Sequence, residues 1–414
     1  MARLLVGFVV MAAVARYLGP ASFGLLANGL ALIGLLMFIP GLGWDDIVRR
    51  ELLVQTGREA QILGTVGRLR LAVGGMVALG VFGFALWGAA GTSEERRLWM
   101  VLAVMLIQPA LWMPESYFQV KGQAKVVAVT QLVSLVLGGA ARLGLIMQEA
   151  SLIWFGVVVL GEVVLVTVIL GARAARSGLA GWWREWDGSQ VRGWMREGWP
   201  LLLAGAAATL YMRVDLVMVR SLAGEREAGV YAAAVRLSEA LYFLPIAVIT
   251  GLLPRWKARR AEGEAPYARF LQRVYDLQAG LAFGFVVGAL VFGGWLVARL
   301  FGPAFADSGA VLAVHAWTAL FVFVGLTRGQ EWIWAGLNRY TLLVTTAGAA
   351  ANVGLNSWLI PQHGAMGAAV ATLGAYVIAA GLLPLTIPAT RPAAWRQTKA
   401  LLVPLRGWRY LRGG

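Results

Sequence analysis

The 414 residues contain no cysteine and only two histidines, His315 and His363. Disulfides and thiolate metal sites are therefore excluded. With so few imidazoles, a metal centre or a histidine-based triad has little to be built from. There is no P-loop and no His-Glu-x-x-His, so nothing implies a cofactor or an enzymatic reaction. Charge is scarce as well. Only 14% of residues are Asp, Glu, Lys or Arg, whereas a soluble globular chain has about a quarter.

Apolar residues fill that gap, at 59% of the chain. They come in continuous stretches of about 18–25 residues, long enough to cross ~30 Å of hydrocarbon as helices. Strands of a barrel would instead alternate apolar and polar positions. The fold class this implies is an all-α integral membrane protein with about 12 transmembrane helices. The spans read as 4–18, 22–43, 68–90, 98–118, 125–147, 152–172, 199–220, 229–252, 277–300, 308–328, 340–360 and 365–388. Arg3 before an apolar run resembles the start of a signal peptide, but Ala15-Arg16-Tyr17 is a poor cleavage site.

The net charge of +15 does not point to nucleic acid, because the basic residues lie between the apolar spans. With the N-terminus in the cytoplasm, roughly 27 Lys and Arg fall in cytoplasmic segments against roughly four outside, the bias of the positive-inside rule. Both termini are thus expected inside, in a bacterial or archaeal plasma membrane. The outer loops are short and leave no room for an extramembrane catalytic domain. Trp183, Trp186, Gln190 and Trp194 recur at helical spacing, which suits a helix lying among the headgroups. The tail from Arg391 carries Trp395, Trp408 and Tyr410 among basic residues and is expected against anionic lipid.

The chain also reads as a duplication. Arg16-Tyr17-Leu18-Gly19-Pro20 with Phe23-Gly24 parallels Arg220-Ser221-Leu222-Ala223-Gly224 with Gly229-Val230-Tyr231. Val120-Lys121-Gly122-Gln123-Ala124-Lys125 parallels Ala335-Gly336-Leu337-Asn338-Arg339. The offsets are near 205 and 214 residues. Repeats in one orientation imply two six-helix lobes around a central path. The expected organisation is an N-lobe over 1–180, an interfacial linker over 181–198, a C-lobe over 199–390 and a basic tail over 391–414.

Ionisable side chains within spans are costly and need a reason. The candidates are Arg16, Arg142, Glu162, Arg213, Asp215, Arg236, Glu239 and His315. Arg236 and Glu239 stand at a pairing distance of three residues. Arg142, near mid-membrane with no local acid, reads as a cavity residue, and His315 as a helix–helix contact more than a proton relay. Arginine outnumbers acid in this set, and its planar fork matches phosphate oxygens. A cationic cavity with Arg16, Arg142, Arg213 and Arg236 is therefore expected to receive an anion. Gln108, Gln131, Asn352 and Asn356 could meet sugar hydroxyls, or could equally satisfy one another between helices.

Several of these segments carry a resemblance. Ala15-Arg16-Tyr17-Leu18-Gly19-Pro20 with Phe23-Gly24, and Gly41-Leu42-Gly43 with Val48-Arg49-Arg50-Glu51-Leu52, resemble Wzx-type polysaccharide flippases. So do Arg213-Val214-Asp215, the run from Ala228 to Glu239, and Asn352, Asn356, Ile360-Pro361, Gly364 and Gly367-Ala368-Ala369. The resemblance implies the multidrug/oligosaccharidyl-lipid/polysaccharide exporter superfamily, with two lobes around a cavity that opens alternately to each side. It further implies an undecaprenyl-diphosphate-linked oligosaccharide as partner. Cationic residues on the matching motifs, Arg16, Arg49, Arg213 and Arg236, would receive the diphosphate, Asp215 and Glu239 would serve gating or coupling, and H+ or Na+ is a candidate coupling ion. The first span is short for a crossing, and members of that family usually start a dozen or more residues earlier. Two alternatives stand beside this reading. One is a cation or drug antiporter of the same superfamily, and the other is a non-transporting scaffold for envelope assembly.

Overall fold

The computed structural model describes residues 2–87, 91–404 and 406. Among the described residues there are helices and turns and no strands. Ten stretches of the described residues are long and apolar enough to span a bilayer. Two of them, Gly7–Val54 with 48 residues and Asn338–Thr386 with 49, are about double the ~20 needed for one crossing. Each is interrupted by a glycine at positive φ, Gly19 (φ 73°) and Gly364 (φ 54°). Counting each of these as two crossings gives the twelve spans read from hydropathy. By contact, Met1–Leu18 and Leu25–Val217 form one compact unit, and Gly19–Gly24 with Met218–Gly414 form the other.

The first unit holds most of α1 (Ala2–Leu36), then α2 (Asp45–Val54), α3 (Glu59–Leu86), α4 (Ser93–Ala103), α5 (Met113–Val120), α6 (Ala124–Met147), α7 (Leu152–Ala174) and most of α8 (Val191–Ala223). Thr92 caps α4 by accepting a hydrogen bond from the Glu95 amide at 3.2 Å, the Thr-x-x-Glu signature of a helix start. Asp45 and Asp46 open α2, where the helix dipole favours acid. In α3, Gly64, Gly67 and Gly74 recur at turn spacing and are all buried. A side chain there would meet the backbone of Trp182 and Glu185, the Trp182 ring and the Leu106 carbonyl. The core beside this face gathers Trp44, Val48, Leu63, Val66, Phe118, Trp182 and Trp194.

The single helix expected from the spacing of Trp183, Trp186, Gln190 and Trp194 does not form. Residues Trp182–Arg184 make one tight turn and Gly188–Gln190 another, and α8 already begins at Val191. The tryptophans are split in their environment. Trp182 and Trp194 are buried in the core, while Trp183 and Trp186 remain exposed. The segment lies as a strap along α3: the Asp187 amide donates to Thr65 Oγ1 at 2.8 Å, and Arg58 pairs with the Asp187 carboxylate. Hydrogen bonding from Ser189, with Arg58 adding its charge, holds the Asp187 carboxyl below the usual range.

The second unit contains α9 (Glu225–Glu239), α10 (Phe243–Ala261), α11 (Glu264–Phe301), α12 (Asp307–His315), α13 (Thr318–Ala335), α14 (Asn338–Tyr376) and α15 (Arg391–Leu401). The segment expected as a lipid-bound tail is in part a packed helix. In α15 the Ala393, Ala394, Gln397 and Ala400 side chains are buried, and Gln397 Nε2 donates to the Ala380 carbonyl at 2.8 Å. Arg396 pairs with Glu331. Trp408, Arg409, Tyr410 and Arg412 lie outside the described residues.

The duplication is visible in the backbone. Gly19 (φ 73°, ψ 171°) and Gly224 (φ 95°, ψ −178°), 205 positions apart, share a conformation open almost only to glycine. A Cβ on Gly24 would sit 2.1 Å from the Glu225 carbonyl oxygen, and one on Gly229 would sit 1.8 Å from the Pro20 carbonyl oxygen. Pro20 and Glu225, and Gly24 and Gly229, are themselves equivalent at that offset, so the contact is reciprocal. The second pair agrees. Gly122 (φ 71°) and Gly336 (φ 70°) each end a helix, and the next amide bonds back five residues at 2.8 Å, Gln123 to Phe118 and Leu337 to Trp332.

Candidate functional site

A cavity of about 820 Å³ opens within the first unit. Its walls come from the end of α1, the start of α2, the middle of α3, the Gln108–Trp112 bend, α5, and the stretch of α8 from Leu201 to Arg213. The helices are set close by glycine. A Cβ on Gly43 would lie 2.5 Å from the Leu202 amide nitrogen, and one on Gly198 would lie 2.4 Å from the Trp44 ring. Arg50 locks α2 to the foot of α8 through a two-point pair with Glu197. That docking directs α8 up one wall and carries Arg213 into the cavity, where its Cδ and Nε lie 3.7 Å from the site of a Cβ on Gly34.

The polar groups form two sets. Arg70 is almost fully buried and donates to Asp45 Oδ1 at 2.8 Å and to the Gly41 carbonyl at 2.9 Å. Arg49 bridges Asp46 Oδ1 at 3.0 Å and Gln119 Oε1 at 3.3 Å. Gln119 Nε2 donates on to Glu115 Oε1 at 2.9 Å, and Gln131 Nε2 reaches the same oxygen at 3.4 Å. Three arginines and three acids thus line the space. With Arg70 paired to Asp45 and Arg49 to Asp46, Arg213 and Glu115 have no ion-pair partner among the described residues. An excess of arginine was expected, but in this cavity the two signs balance.

Of the sequence-derived candidates, Arg49, Arg213 and Gln108 come together here. Arg16, Arg142, Asp215, Arg236, Glu239, Asn352 and Asn356 do not line this cavity. Arg142 is not the isolated cation it was read as. Its two terminal nitrogens reach both oxygens of Glu162, at 2.7 and 2.8 Å, so its fork is already occupied. Asn352 and Asn356 are corrected in the same way. Both are fully buried; Asn356 donates to Asn352 at 2.9 Å, Asn352 to Thr372 at 3.2 Å, and Thr372 Oγ1 lies 3.4 Å from the Tyr231 hydroxyl. Both bonds that the asparagines donate run within α14, and neither side chain lines the cavity described above. His315 is a helix–helix contact, its Nδ1 lying 2.9 Å from Ser238 Oγ. Asp215 is buried with Oδ1 accepting from the Leu216 amide at 2.7 Å, while Arg16, Arg236 and Glu239 are exposed.

Arg70, Asp45, Asp46 and Glu115 were not among the candidates. Hydropathy puts Arg70 at the very start of its span, at 68, whereas α3 starts at Glu59 and carries Arg70 about three turns in. A signal for it was present: it falls between Gly67 and Gly74 on the buried glycine face. Glu115 lay inside a span and follows Pro114.

Comparison with known proteins agrees with this architecture. The solved structure of the lipid II flippase MurJ, in an inward closed conformation, superposes with a TM-score of 0.77 at 13% identity, covering 100% of this chain and 91% of that one. An inward-facing multidrug resistance MATE transporter of the MOP superfamily gives 0.67 at 12% identity, covering 97% and 96%. At such identities the likeness is one of fold. The probable flippase AglR of Haloferax volcanii is 27% identical over 186 residues, which is 44% of this chain and only 38% of AglR. Residues 1–256 match the polysaccharide biosynthesis protein family, and with more than half its length so matched the chain belongs to that family of membrane proteins.

Proposed function

We propose that the protein moves an undecaprenyl-diphosphate-linked oligosaccharide from the cytoplasmic to the outer leaflet by alternating access. Both termini lie in the cytoplasm, as the bias of Lys and Arg requires. The observation that carries the reading is Arg213, a cation with no ion pair among the described residues, in a large cavity of a polysaccharide-biosynthesis family member. A free guanidinium offers a diphosphate two parallel charge-assisted hydrogen bonds. Arg49 lines the same cavity, and Gln108 would meet a sugar hydroxyl. Arg16, Arg236, Asp215 and Glu239 retain their proposed roles on the transport path and in coupling. A passive scaffold would need no such cavity.

The cation or drug antiporter keeps one observation in its favour. Among the described residues Glu115 accepts hydrogen bonds from the amide side chains of Gln119 and Gln131, and it could receive a proton or a cation. Flipping assays in proteoliposomes with equal amounts of each variant separate the two readings. Arg213→Ala should lower transfer of a lipid diphosphate about tenfold or more, because charge-assisted hydrogen bonds contribute about 1.5–3 kcal/mol. Arg213→Lys should keep part of it. If Arg213→Ala transports the lipid normally while Glu115→Gln abolishes uptake of organic cations, the antiporter reading takes its place.

A further inference from the structure

A second cavity, of about 380 Å³, lies in the other unit between the end of α10 and the start of α11. Four arginines surround it, Arg255 and Arg259 on α10 and Arg269 and Arg273 on α11. Each pair stands four residues apart, so like charges share one face of each helix, an arrangement that disfavours the helix unless something neutralises it. All four are exposed. Arg259 is paired with Glu262 at 2.7 Å. Arg255, Arg269 and Arg273 have no ion pair among the described residues. Neighbouring acids are engaged elsewhere, Asp276 with Arg406 and Glu331 with Arg396 and Tyr275.

The floor is apolar and rigid. Leu252, Phe270 and Val274 line it. Beneath them Trp256 packs edge-on against Phe270 with ring centres 5.7 Å apart, and its Nε1 donates to the Tyr267 hydroxyl at 3.0 Å. At the far end Leu277, 48% exposed, leads out onto the apolar surface of α11. Depth in the bilayer follows from length. The 38 residues of α11 extend about 57 Å, so its first turns stand beyond ~30 Å of hydrocarbon, at headgroup level.

We propose that this cavity binds the phosphodiester headgroup of an anionic glycerophospholipid of the surrounding membrane. Arg255, Arg269 and Arg273 hold the phosphate, and the acyl chains follow the exposed leucine side of α11. Basic recesses between transmembrane helices bind anionic headgroups by this combination of charge and apolar wall. The site is separate from the cavity proposed for the transported lipid, and its test does not depend on transport.

The test is lipid binding to the purified full-length chain in neutral detergent, followed by native mass spectrometry with dioleoylphosphatidylglycerol and dioleoylphosphatidylcholine. The wild type should retain phosphatidylglycerol at least tenfold more tightly than phosphatidylcholine. The triple variant R255Q/R269Q/R273Q should lose that preference with an unchanged unfolding midpoint in lipid-free detergent. In case that variant does not fold, a photoactivatable phosphatidylglycerol on the wild type should crosslink within residues 252–277. Equal binding of both lipids, a preference that survives in the triple variant, or crosslinks confined elsewhere would overturn the proposal. So would a triple variant that keeps phosphatidylglycerol and loses only an added polyprenyl diphosphate, which would assign the cavity to the transported lipid.

Discussion

Arg142 and Glu162 meet through two hydrogen bonds inside the first unit, and one glycine decides whether they can. A Cβ on Gly138 would lie 1.9 Å from Glu162 Oε1, so Gly138→Ala should displace the carboxylate from the arginine. Breaking a buried pair by removing one partner costs about 3–5 kcal/mol, because the other charge stays behind without compensation. Arg142→Gln and Glu162→Gln should each lower the thermal unfolding midpoint in detergent, and the exchange R142E/E162R should recover part of it. If single and exchanged variants unfold alike, the pair does not hold α6 to α7. Twenty residues separate the two side chains, and this is why the pair was not legible in the sequence. Helical spacing reports neighbours three and four positions away and nothing across helices. Asn352 and Asn356, four apart on one helix, were read as sugar contacts or as a bond between helices, and the bond they make is the local one that spacing allows.

At the level of elements, hydropathy located the crossings and missed where the helices end. It places the third span from 68 and the ninth from 277, whereas α3 starts at Glu59 and α11 at Glu264. Leaving the hydrocarbon does not end a helix, because each further residue adds a backbone hydrogen bond in water as well. Hydropathy therefore measures the bilayer's share of the helix only. The strap over 182–190 was misread because tryptophan spacing suits a helix, while Gly181 (φ 76°) and the Asp187 cap impose turns. Asp187→Asn should free the strap, seen as faster hydrogen–deuterium exchange of amides 182–190 at neutral pH with α3 unaffected. In the wild type the depressed Asp187 carboxyl gives its full stabilisation above the unfolded carboxyl's pKa. That contribution is lost as pH falls through its lower folded value, so the strap should loosen only in acid. Unchanged exchange in the Asn variant would mean that Thr65 and the buried Trp182 hold the strap without the carboxylate.

At the scale of the molecule, the proposed function predicts what the substrate can lose. Neutral hydrogen bonds to sugar hydroxyls contribute about 0.5–1.5 kcal/mol each, and charge-assisted bonds to phosphate are roughly twice as strong. A lipid diphosphate bearing a single sugar should therefore compete with the full unit for flipping, and a neutral lipid-linked glycan should not. Equal handling of the neutral glycan would remove the arginines from the proposed mechanism. The whole-chain duplication was legible because its matches fall in loops, where an apolar composition does not force likeness. The reciprocal approach of Gly24 and Gly229 has a consequence for descent. A contact in which one position meets its counterpart's partner, and is met in return, is the contact two identical chains make about a two-fold axis. A half-length ancestor would have made it between two separate copies, both inserted the same way round. Within one chain the same contact needs no encounter, because the covalent link fixes the concentration of one partner about the other.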